Sequence, residues 1–366
     1  MKYEFHAEYE FAAADSLTQQ KAISYLAGKE SMPPGKRPAL KDIDDPAARI
    51  LLLGQALTTP HKSLARVGRR QKPGGILSIF QSSAFRQFMQ KQDSFLEELG
   101  LKPSFHDLSR YPPGSWAVQF KFKLLEPYLS RDDTDLYIVD NPVKKDWVFK
   151  LPYVAPGQWK GMLRMVMTRQ LVEEANNLSD ENYAEKRFRL TVLFGDEKGE
   201  EPGSLNQLAK YLDNDKPGAG SLYRKSVRQR FGVQDDEDPL PRHTGRLHFY
   251  PTFFTRMELE VINPHDRGTG AGTLPIYLEC VPRQTEGHFV IFYVPGDQVD
   301  ADETETKKQA LQDLKLVVKG IRDMFDGYGI GAKTTSGFGT AKIIPGTLFI
   351  EPPDYASSLR PEIEGG

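Results

Sequence analysis

The chain has 366 residues, of which 39% are hydrophobic, and its formal charge is −2. This length and apolar content allow a sizeable core and argue against disorder, while the near-zero charge argues against a protein that coats nucleic acid nonspecifically. The lone Cys280 excludes an internal disulfide framework and any multi-cysteine zinc site, and it fits a reducing, cytoplasmic location.

The first 115 residues are predicted to form an initial strand at 2–12 and then an added helical region or a large insertion. The basic stretch HKSLARVGRRQK (61–72) fits a contact with RNA or with another subunit, and it equally fits an exposed basic loop. The amphipathic segment 76–99 predicts a helix. No signal peptide is expected, because the N-terminus MKYEFHAEYEF lacks an uninterrupted apolar core. No membrane span is expected, because no run of eighteen uncharged apolar residues occurs.

Strict alternation of apolar and polar residues from Trp116 to Leu124 predicts a strand that is buried on one face. The helical spacing of apolar residues predicts helices over about 158–175 and 303–326. Aromatic and β-branched residues predict strands within 245–263, 287–295 and 340–350.

This order of elements over 116–350 predicts an α+β fold with a ferredoxin-like (RRM-like) βαββαβ unit. The connections are longer than such a unit needs. The stretch 196–242, which is charged and broken by PGAG and DPLP, predicts a surface insertion, and residues 351–366 form a C-terminal tail.

Five glycines lie in the stretch GYGIGAKTTSGFG, 327–339, which we call the glycine loop. A dinucleotide loop would follow a strand and open a helix, whereas this stretch follows a helix, and its spacing does not match a Walker loop. Two glycines would suffice to end the helix and turn the chain. The others, among them Gly329, Gly331 and Gly337, together with Lys333, Thr334, Thr335 and Ser336, predict backbone N–H groups and hydroxyls presented to an RNA strand.

Six basic residues against one acidic residue give 141–170 a local net charge of +5. The bases are Lys144, Lys145, Lys150, Lys160, Arg164 and Arg169, and the acid is Asp146. Lys160 and Arg164 lie four residues apart, so they share a face beside the N-terminus of the predicted helix. This face can bind a polyanion, or it can be a solvated helix face without a ligand.

Three stretches resemble segments of the RAMP superfamily, whose members form the backbone of type III CRISPR effector complexes. YVAPGQWKGMLRMVM (153–167) resembles the family segment P-G-S-x-K-G-x-x-R, and GIGAKTTSGFG (329–339) resembles its C-terminal glycine-rich loop. GRLHFYPTFF and INPHDRGTGAGTLPIYLECVP resemble the middle region of the family. The resemblance does not extend to residues 1–115 or 196–242.

The resemblance implies a subunit that binds CRISPR RNA and target RNA beside other subunits of the complex. A ferredoxin-like palm would hold the guide, and a thumb hairpin within about 261–283 would splay one base pair. The RNA contacts implied by the motifs are Gln158, Trp159, Lys160, Arg164, His265, Arg267 and the glycine loop. Gln158 and Trp159 stand where the family usually has serines, so amide or stacking contacts would replace a hydroxyl contact.

The segment IVDNPVKKD resembles D-x-P-V-x-x-D, which in the family carries the aspartate that cuts target RNA. This match implies that Asp140 is catalytic and can bind a divalent ion, expected to be Mg²⁺, with Lys144 or Lys145 nearby. Asp146 matches a second aspartate and is expected to be structural. From the residues alone, Asp140 is more simply a turn residue before Pro142.

Three other functions remain open on the sequence. The chain can be a guide-binding subunit that does not use Asp140, or a metal-independent endoribonuclease that processes CRISPR RNA. A small-molecule enzyme with a glycine-rich phosphate loop is the third alternative.

Overall fold

A computed structural model describes most of the chain. The described residues are 17–29, 43–57, 61–69, 72–103, 107–132, 137–197, 207–234, 243–264, 268, 272, 274–356 and 359. The predicted strand at 2–12, His265, Arg267 and most of the predicted C-terminal tail lie outside them.

Helices and short strands alternate along the described residues. The helices are α1 Leu17–Leu26, α2 Pro46–Gly54, α3 Lys62–Arg66, α4 Gly75–Gln81, α5 Ser83–Glu98, α6 Pro156–Glu174, α7 Asp180–Phe194, α8 Leu208–Asp215, α9 Pro217–Phe231, α10 Glu303–Asp323 and α11 Pro353–Ala356. The strands are β1 Gly68–Arg69, β2 Lys72–Pro73, β3 Trp116–Leu124, β4 Tyr153–Val154, β5 Leu247–Phe249, β6 Thr252–Phe253, β7 Glu258–Ile262, β8 Ile276–Cys280, β9 Glu286–Tyr293, β10 Ala341–Ile343 and β11 Phe349–Glu351.

The fold combines helices with antiparallel sheets in an α+β arrangement. The main sheet has the strand order β10–β3–β9–β5, and every neighbouring pair of strands is antiparallel. The predicted last strand is divided into β10 and β11, which both pair with β3. β3 is therefore the central strand, and it is hydrogen-bonded on both edges.

The alternation of β3 follows the prediction, because Phe120, Phe122 and Leu124 are buried while Lys121 is exposed. The buried face packs against α6 and α10. Phe120 and Phe122 lie 5.3 and 5.2 Å from the ring of Phe325, which follows α10. At the start of β3, the Trp116 indole N–H donates to the carbonyl oxygen of Ala310 in α10 at 3.1 Å.

The α6 and α10 helices approach each other closely at Gly320. A Cβ at this position would lie 2.7 Å from Cγ of Met167 in α6, so a larger residue would push the two helices apart. This contact fixes α6 on the sheet, and α6 in turn carries the first candidate binding residues.

The described stretch 207–234 of the predicted surface insertion is mostly helical, which its composition did not indicate. Within it, α8 and α9 pack on α7 and bury Leu212 and Tyr223. PGAG does not break the chain, because Pro217 occupies the first turn of α9, where a proline needs no N–H partner. Arg187 of α7 is fully buried and forms ion pairs with Glu197 and Asp213, which holds this helical layer together.

The N-terminal helices share one hydrophobic core with the rest of the chain. The predicted helix at 76–99 is divided in two at Ser82, whose hydroxyl accepts a hydrogen bond from the Phe85 N–H at 3.1 Å and so starts α5. The basic stretch 61–72 contains α3 and β1 and ends at the first residue of β2, which pairs with β1 in a short ribbon. None of the helices in the described residues is long and apolar enough to cross a bilayer.

Candidate nucleic-acid interface

A groove of about 420 Å³ lies where the start of α6 meets the glycine loop. It is lined by Ser130, Arg131, Lys144, Ala155, Gly157, Gln158, Gly331 and Ala332. Three of the predicted RNA contacts, namely Lys144, Gln158 and Gly331, are thus brought together although they come from distant parts of the sequence. The α6 N-terminus, whose N-cap Ala155 has no side-chain hydrogen bond, adds the positive end of a helix dipole.

Two side chains of α6 hold this corner together. The Tyr128 hydroxyl donates to Oε1 of Gln158 at 2.9 Å, and burial raises the pKa of Tyr128 to about 12, so the hydroxyl keeps its proton. Met162, one turn after Gln158, accepts a hydrogen bond from the Gly331 N–H on its sulfur at 3.3 Å. The glycine loop is therefore attached to the Gln158–Met162 face of α6.

Backbone geometry accounts for most of the glycines. Gly329, Gly331, Gly337 and Gly339 have φ between +70° and +91°, a region that side chains disfavour. At Gly331 a Cβ would overlap the Leu129 carbonyl oxygen and lie 2.7 Å from Cε2 of Tyr128. The turn itself therefore requires these glycines, and their number alone does not indicate a polyanion.

The tip of the glycine loop remains suited to binding. Residues Thr334–Ser336 form a single 3-10 turn after Lys333, which has φ +59°. Lys333, Thr335, Ser336 and Gly337 are exposed, and Thr334 is half-buried. In the part of the chain that the structure describes, the backbone N–H groups of 333–335 have no acceptor. The tip thus presents one ammonium group, three hydroxyls and free N–H groups.

Replacing Gly331 by alanine should destabilise the protein by more than replacing Gly337 does. Both glycines have a positive φ, which costs alanine about 1–2 kcal/mol, but only Gly331 also lacks room for a Cβ. We expect Gly331→Ala to lower the thermal midpoint clearly more than Gly337→Ala in a differential scanning fluorimetry comparison. Equal midpoints would show that the loop can move to accommodate a Cβ at Gly331 without a loss of stability.

The segment that carries Asp140 lies along β8. The Asp140 N–H donates to the Tyr277 carbonyl oxygen at 3.1 Å, and the Glu279 N–H donates to the Asn141 carbonyl oxygen at 2.9 Å. The Tyr277 N–H also donates to Oδ2 of Asp140 at 3.0 Å. The Asp140 side chain is 42% exposed, so this carboxylate is both fixed by the backbone and accessible.

Arg66 forms an ion pair with Asp140, and the sequence did not indicate this contact. Arg66 ends α3 in the basic stretch 61–72, and its guanidinium lies 5.3 Å from the ring centre of Tyr277. The only feature of the sequence that pointed to a role for Arg66 was the basic character of that stretch. A separation of 74 residues gives no indication of the partner.

The two lysines near Asp140 differ in their surroundings. Lys145 pairs with the buried carboxylate of Glu279 and donates to the Val143 carbonyl oxygen at 3.1 Å, so its charge is used inside the protein. Lys144 lines the groove, and its ammonium has no acceptor among the residues that the structure describes. Lys144 rather than Lys145 therefore presents a charge to a ligand.

Asp146 organises a turn, in agreement with its predicted structural role. Its Oδ1 accepts hydrogen bonds from the N–H groups of Val148 and Phe149, each at 2.8 Å. This Asx turn displays the indole of Trp147 to solvent.

The expected stacking of Trp159 on RNA is wrong. Trp159 is fully buried, its ring lies 4.9 Å from that of Phe289, and its indole N–H donates to Oγ1 of Thr252 at 3.1 Å. The side chain therefore belongs to the core between α6 and the sheet.

Lys160 and Arg164 do not join the groove. They lie two residues beyond Gln158 and Met162, about 200° around the helix. Arg164 donates to the carbonyl oxygens of Gly195 and Asp196 at 3.2 and 2.7 Å, and burial lowers its pKa. The predicted contact of Arg164 with RNA is thus corrected to a contact with the end of α7. Lys160 is half-buried near His248. Burial lowers the pKa of His248, and the positive charge of Lys160 lowers it further.

β7 and β8 form an antiparallel hairpin, and β8 and the last two residues of β7 fall within the predicted thumb at 261–283. Its register runs from Glu258 opposite Cys280 to Ile262 opposite Ile276. Burial raises the pKa of the Cys280 thiol to about 12, so this cysteine is not a reactive thiolate. His265 and Arg267 fall in the part of the hairpin loop that lies outside the described residues.

The surroundings of Asp140 fit a divalent ion only in part. Among the described residues, no three His, Cys, Asp or Glu side chains lie together, and the charged partner of Asp140 is a guanidinium. Mg²⁺ commonly takes one or two carboxylates and completes its shell with phosphate oxygens and water. Asp140 can offer one such carboxylate, and the described residues around it do not form a site that holds a metal by protein side chains alone.

Comparisons with known proteins give one family match. The model of the RAMP superfamily matches residues 121–342, which is more than half of the chain. No curated protein sequence matches.

Several solved structures are similar at low identity. One is a chain of the type III-B Cmr-beta complex bound to cognate target RNA, with 15% identity and a TM-score of 0.33 over 73% of this chain and 66% of that one, just under two thirds of its length. Another is Cmr6 from Pyrococcus furiosus, with 15% identity and a TM-score of 0.30 over 63% and 99%. A third is a chain of a CRISPR RNA-guided surveillance complex in a pre-nicking state, with 11% identity and a TM-score of 0.31 over 62% and 76%.

Proposed function

Because this chain belongs to the RAMP superfamily, we propose that it is an RNA-binding backbone subunit of a type III CRISPR effector complex. Its partners would be CRISPR RNA, target RNA and the other subunits of the complex, in the cytoplasm. The observation that carries the proposal is the groove in which Lys144, Gln158 and the glycine loop meet at the start of α6.

The strand order supports the finer proposal of a ferredoxin-like palm. Such a unit places its first and third strands in the centre and its fourth and second strands at the edges. Here β3, β5, β9 and β10 follow this order, and α6 and α10 pack on one face of the sheet. The β7–β8 hairpin would serve as the thumb.

The groove offers contacts of the kinds that bind a phosphodiester backbone. Within the groove, Lys144 supplies charge and Gln158 supplies an amide. The loop tip, which follows Ala332 and does not line the groove, supplies the charge of Lys333 and shorter-range contacts from hydroxyls and N–H groups. The positive end of the α6 dipole adds to the attraction. These groups would contact backbone rather than bases, which suits a subunit that must bind guides of any sequence.

We further propose that Asp140 takes part in cutting target RNA. In the reaction, the 2'-oxygen forms a bond to phosphorus while the bond from phosphorus to the 5'-oxygen breaks. The 2'-hydroxyl proton must be accepted, and the departing 5'-oxygen takes up a proton from water. The accessible Asp140 carboxylate can accept that proton. A Mg²⁺ ion shared between Asp140 and RNA would stabilise negative charge on the phosphate.

A non-catalytic guide-binding subunit is the second candidate. The observation in its favour is the ion pair with Arg66, because a carboxylate already paired with a guanidinium is less free to accept a proton or bind a cation. Both candidates bind the guide, and only the first cuts.

RNA bound to the tagged protein in its native complex tests the shared part of the proposal. We expect short RNAs with a common 5' tag derived from the CRISPR repeat. Heterogeneous RNA, or none, would reject guide binding.

Replacing Lys333 by asparagine should weaken RNA binding without moving any cut. Asparagine tolerates the left-handed backbone at this position, so the variant removes the charge and keeps the turn. We expect the slope of log K against log salt to decrease in magnitude by about 1 in filter-binding titrations.

Lys308→Asn is the control for this titration, because Lys308 is an exposed lysine of α10 that pairs with Glu305. An identical salt slope for Lys333→Asn and Lys308→Asn would remove Lys333 from the interface.

A further inference from the structure

We propose that Arg66 is a positioning residue of the cleavage site, supplied by the N-terminal region that the family match does not cover. The inference rests on the proposed function of Asp140. It gives the N-terminal region a defined part in the chemistry, because this region carries the only guanidinium paired with Asp140 among the described residues.

Both donors to Asp140 converge on the same oxygen. The Tyr277 N–H and the Arg66 guanidinium each donate to Oδ2. In the described residues Oδ1 has no donor, and the side chain is accessible. Two donors on one oxygen fix the rotation of the carboxylate and direct the other oxygen outward, where a 2'-hydroxyl would have to approach.

Tyr277 links the two charged residues. Its backbone N–H and carbonyl bind Asp140, while its ring lies beneath the Arg66 guanidinium at 5.3 Å. Arg66 is only 14% exposed, and it ends a helix that is followed directly by the β1–β2 ribbon. Arg66, Tyr277 and Asp140 thus form one unit in which each member limits the motion of the others.

Loss of the ion pair between Arg66 and Asp140 should affect the geometry of the cleavage site more than the stability of the fold. An ion pair whose carboxylate is 42% exposed contributes little to folding. In-line attack is far more sensitive, because a displacement of about 1 Å at a reacting group can lower the rate about 10²-fold. The guanidinium fork also sets direction in a way that an ammonium group does not.

The test compares Arg66→Gln and Arg66→Lys in the fully assembled complex, under single-turnover conditions with target RNA from subsaturating to saturating concentrations. For Arg66→Gln we expect the rate constant at saturation to fall about 10–100-fold, while the half-saturating target concentration stays within about twofold. Arg66→Lys should recover part of the rate. Arg224→Gln is the matched control, since Arg224 of α9 is another arginine paired with a carboxylate, Asp213, outside the hairpin and the groove lining, and the change should leave the rate unchanged.

Asp140→Asn, measured in parallel, distinguishes failure of the proposed role of Arg66 from failure of the proposed cleavage function of Asp140. If Asp140→Asn loses the cut and Arg66→Gln cleaves at the unaltered rate, the role of Arg66 is overturned and that of Asp140 stands. If Asp140→Asn cleaves normally, the proposed cleavage function itself is overturned. A purely structural Arg66 would lower the melting temperature and guide binding together with the rate, and this result would also overturn the positioning role.

Discussion

Asp140→Ala, introduced into the assembled complex, is expected to remove one cut from the ladder of target RNA products. General base catalysis contributes about 10²–10⁴-fold, so the corresponding product should become undetectable in short time courses. Guide binding should be unchanged, because Asp140 lies alongside β8, hydrogen-bonded to Tyr277, and does not line the groove. Gel analysis of end-labelled target RNA measures the loss, and recovery of guide RNA from the same preparation measures binding.

Asp93→Ala provides the matched control for this experiment. Asp93 is a partly exposed carboxylate that pairs with Lys102 at 2.8 Å, so its removal also breaks an ion pair. An unchanged ladder for Asp140→Ala would favour the non-catalytic subunit. Chelation with EDTA adds a second criterion, because target cutting should stop, whereas metal-independent processing of CRISPR RNA would continue.

Trp159→Ala is expected to lower the free energy of unfolding of the full chain by about 3–5 kcal/mol, the range found when large buried aromatic residues are truncated. The indole fills the space between α6 and the sheet against Phe122 and Phe289. Trp159→Phe keeps a ring and loses the hydrogen bond to Thr252, so it should cost less. Urea denaturation followed by circular dichroism measures both.

Trp147→Ala is the control within the same chain, since Trp147 is 79% exposed and its loss should change stability by no more than about 0.5 kcal/mol. If Trp159→Ala unfolded at the same urea concentration as the parent and only weakened RNA binding, the stacking interpretation would be restored.

The elements with a clear period were predictable from sequence. β3, α6 and α10 lie within a few residues of their predicted bounds, because one-sided burial imposes a period of two on a strand and 3.6 on a helix. The predicted strand at 340–350 was only approximately right, since it is divided into β10 and β11. The helical α8 and α9 were missed because their charged surface hides the few apolar residues that they bury.

The site was less predictable because it depends on the direction of each side chain. The family-like segment PGQWKG contains one residue directed to the groove, Gln158, and one directed to the core, Trp159. A motif match alone does not distinguish them. The basic residues of 141–170 likewise form one cluster in sequence, yet Lys145 and Arg164 are bound inside the protein while Lys144 lines the groove.

The segment that carries Asp140 and Asn141, here called the acid segment, is hydrogen-bonded to β8, and this has a consequence for exchanging parts between related proteins. Since the acid segment is hydrogen-bonded to the hairpin through Asp140 and Asn141, a hairpin transplanted alone would lose its register with the carboxylate. A functional graft must therefore carry the hairpin, the acid segment and the Arg66 helix together, although they are far apart in the gene. The interchangeable unit of this protein is a set of three segments rather than a continuous stretch.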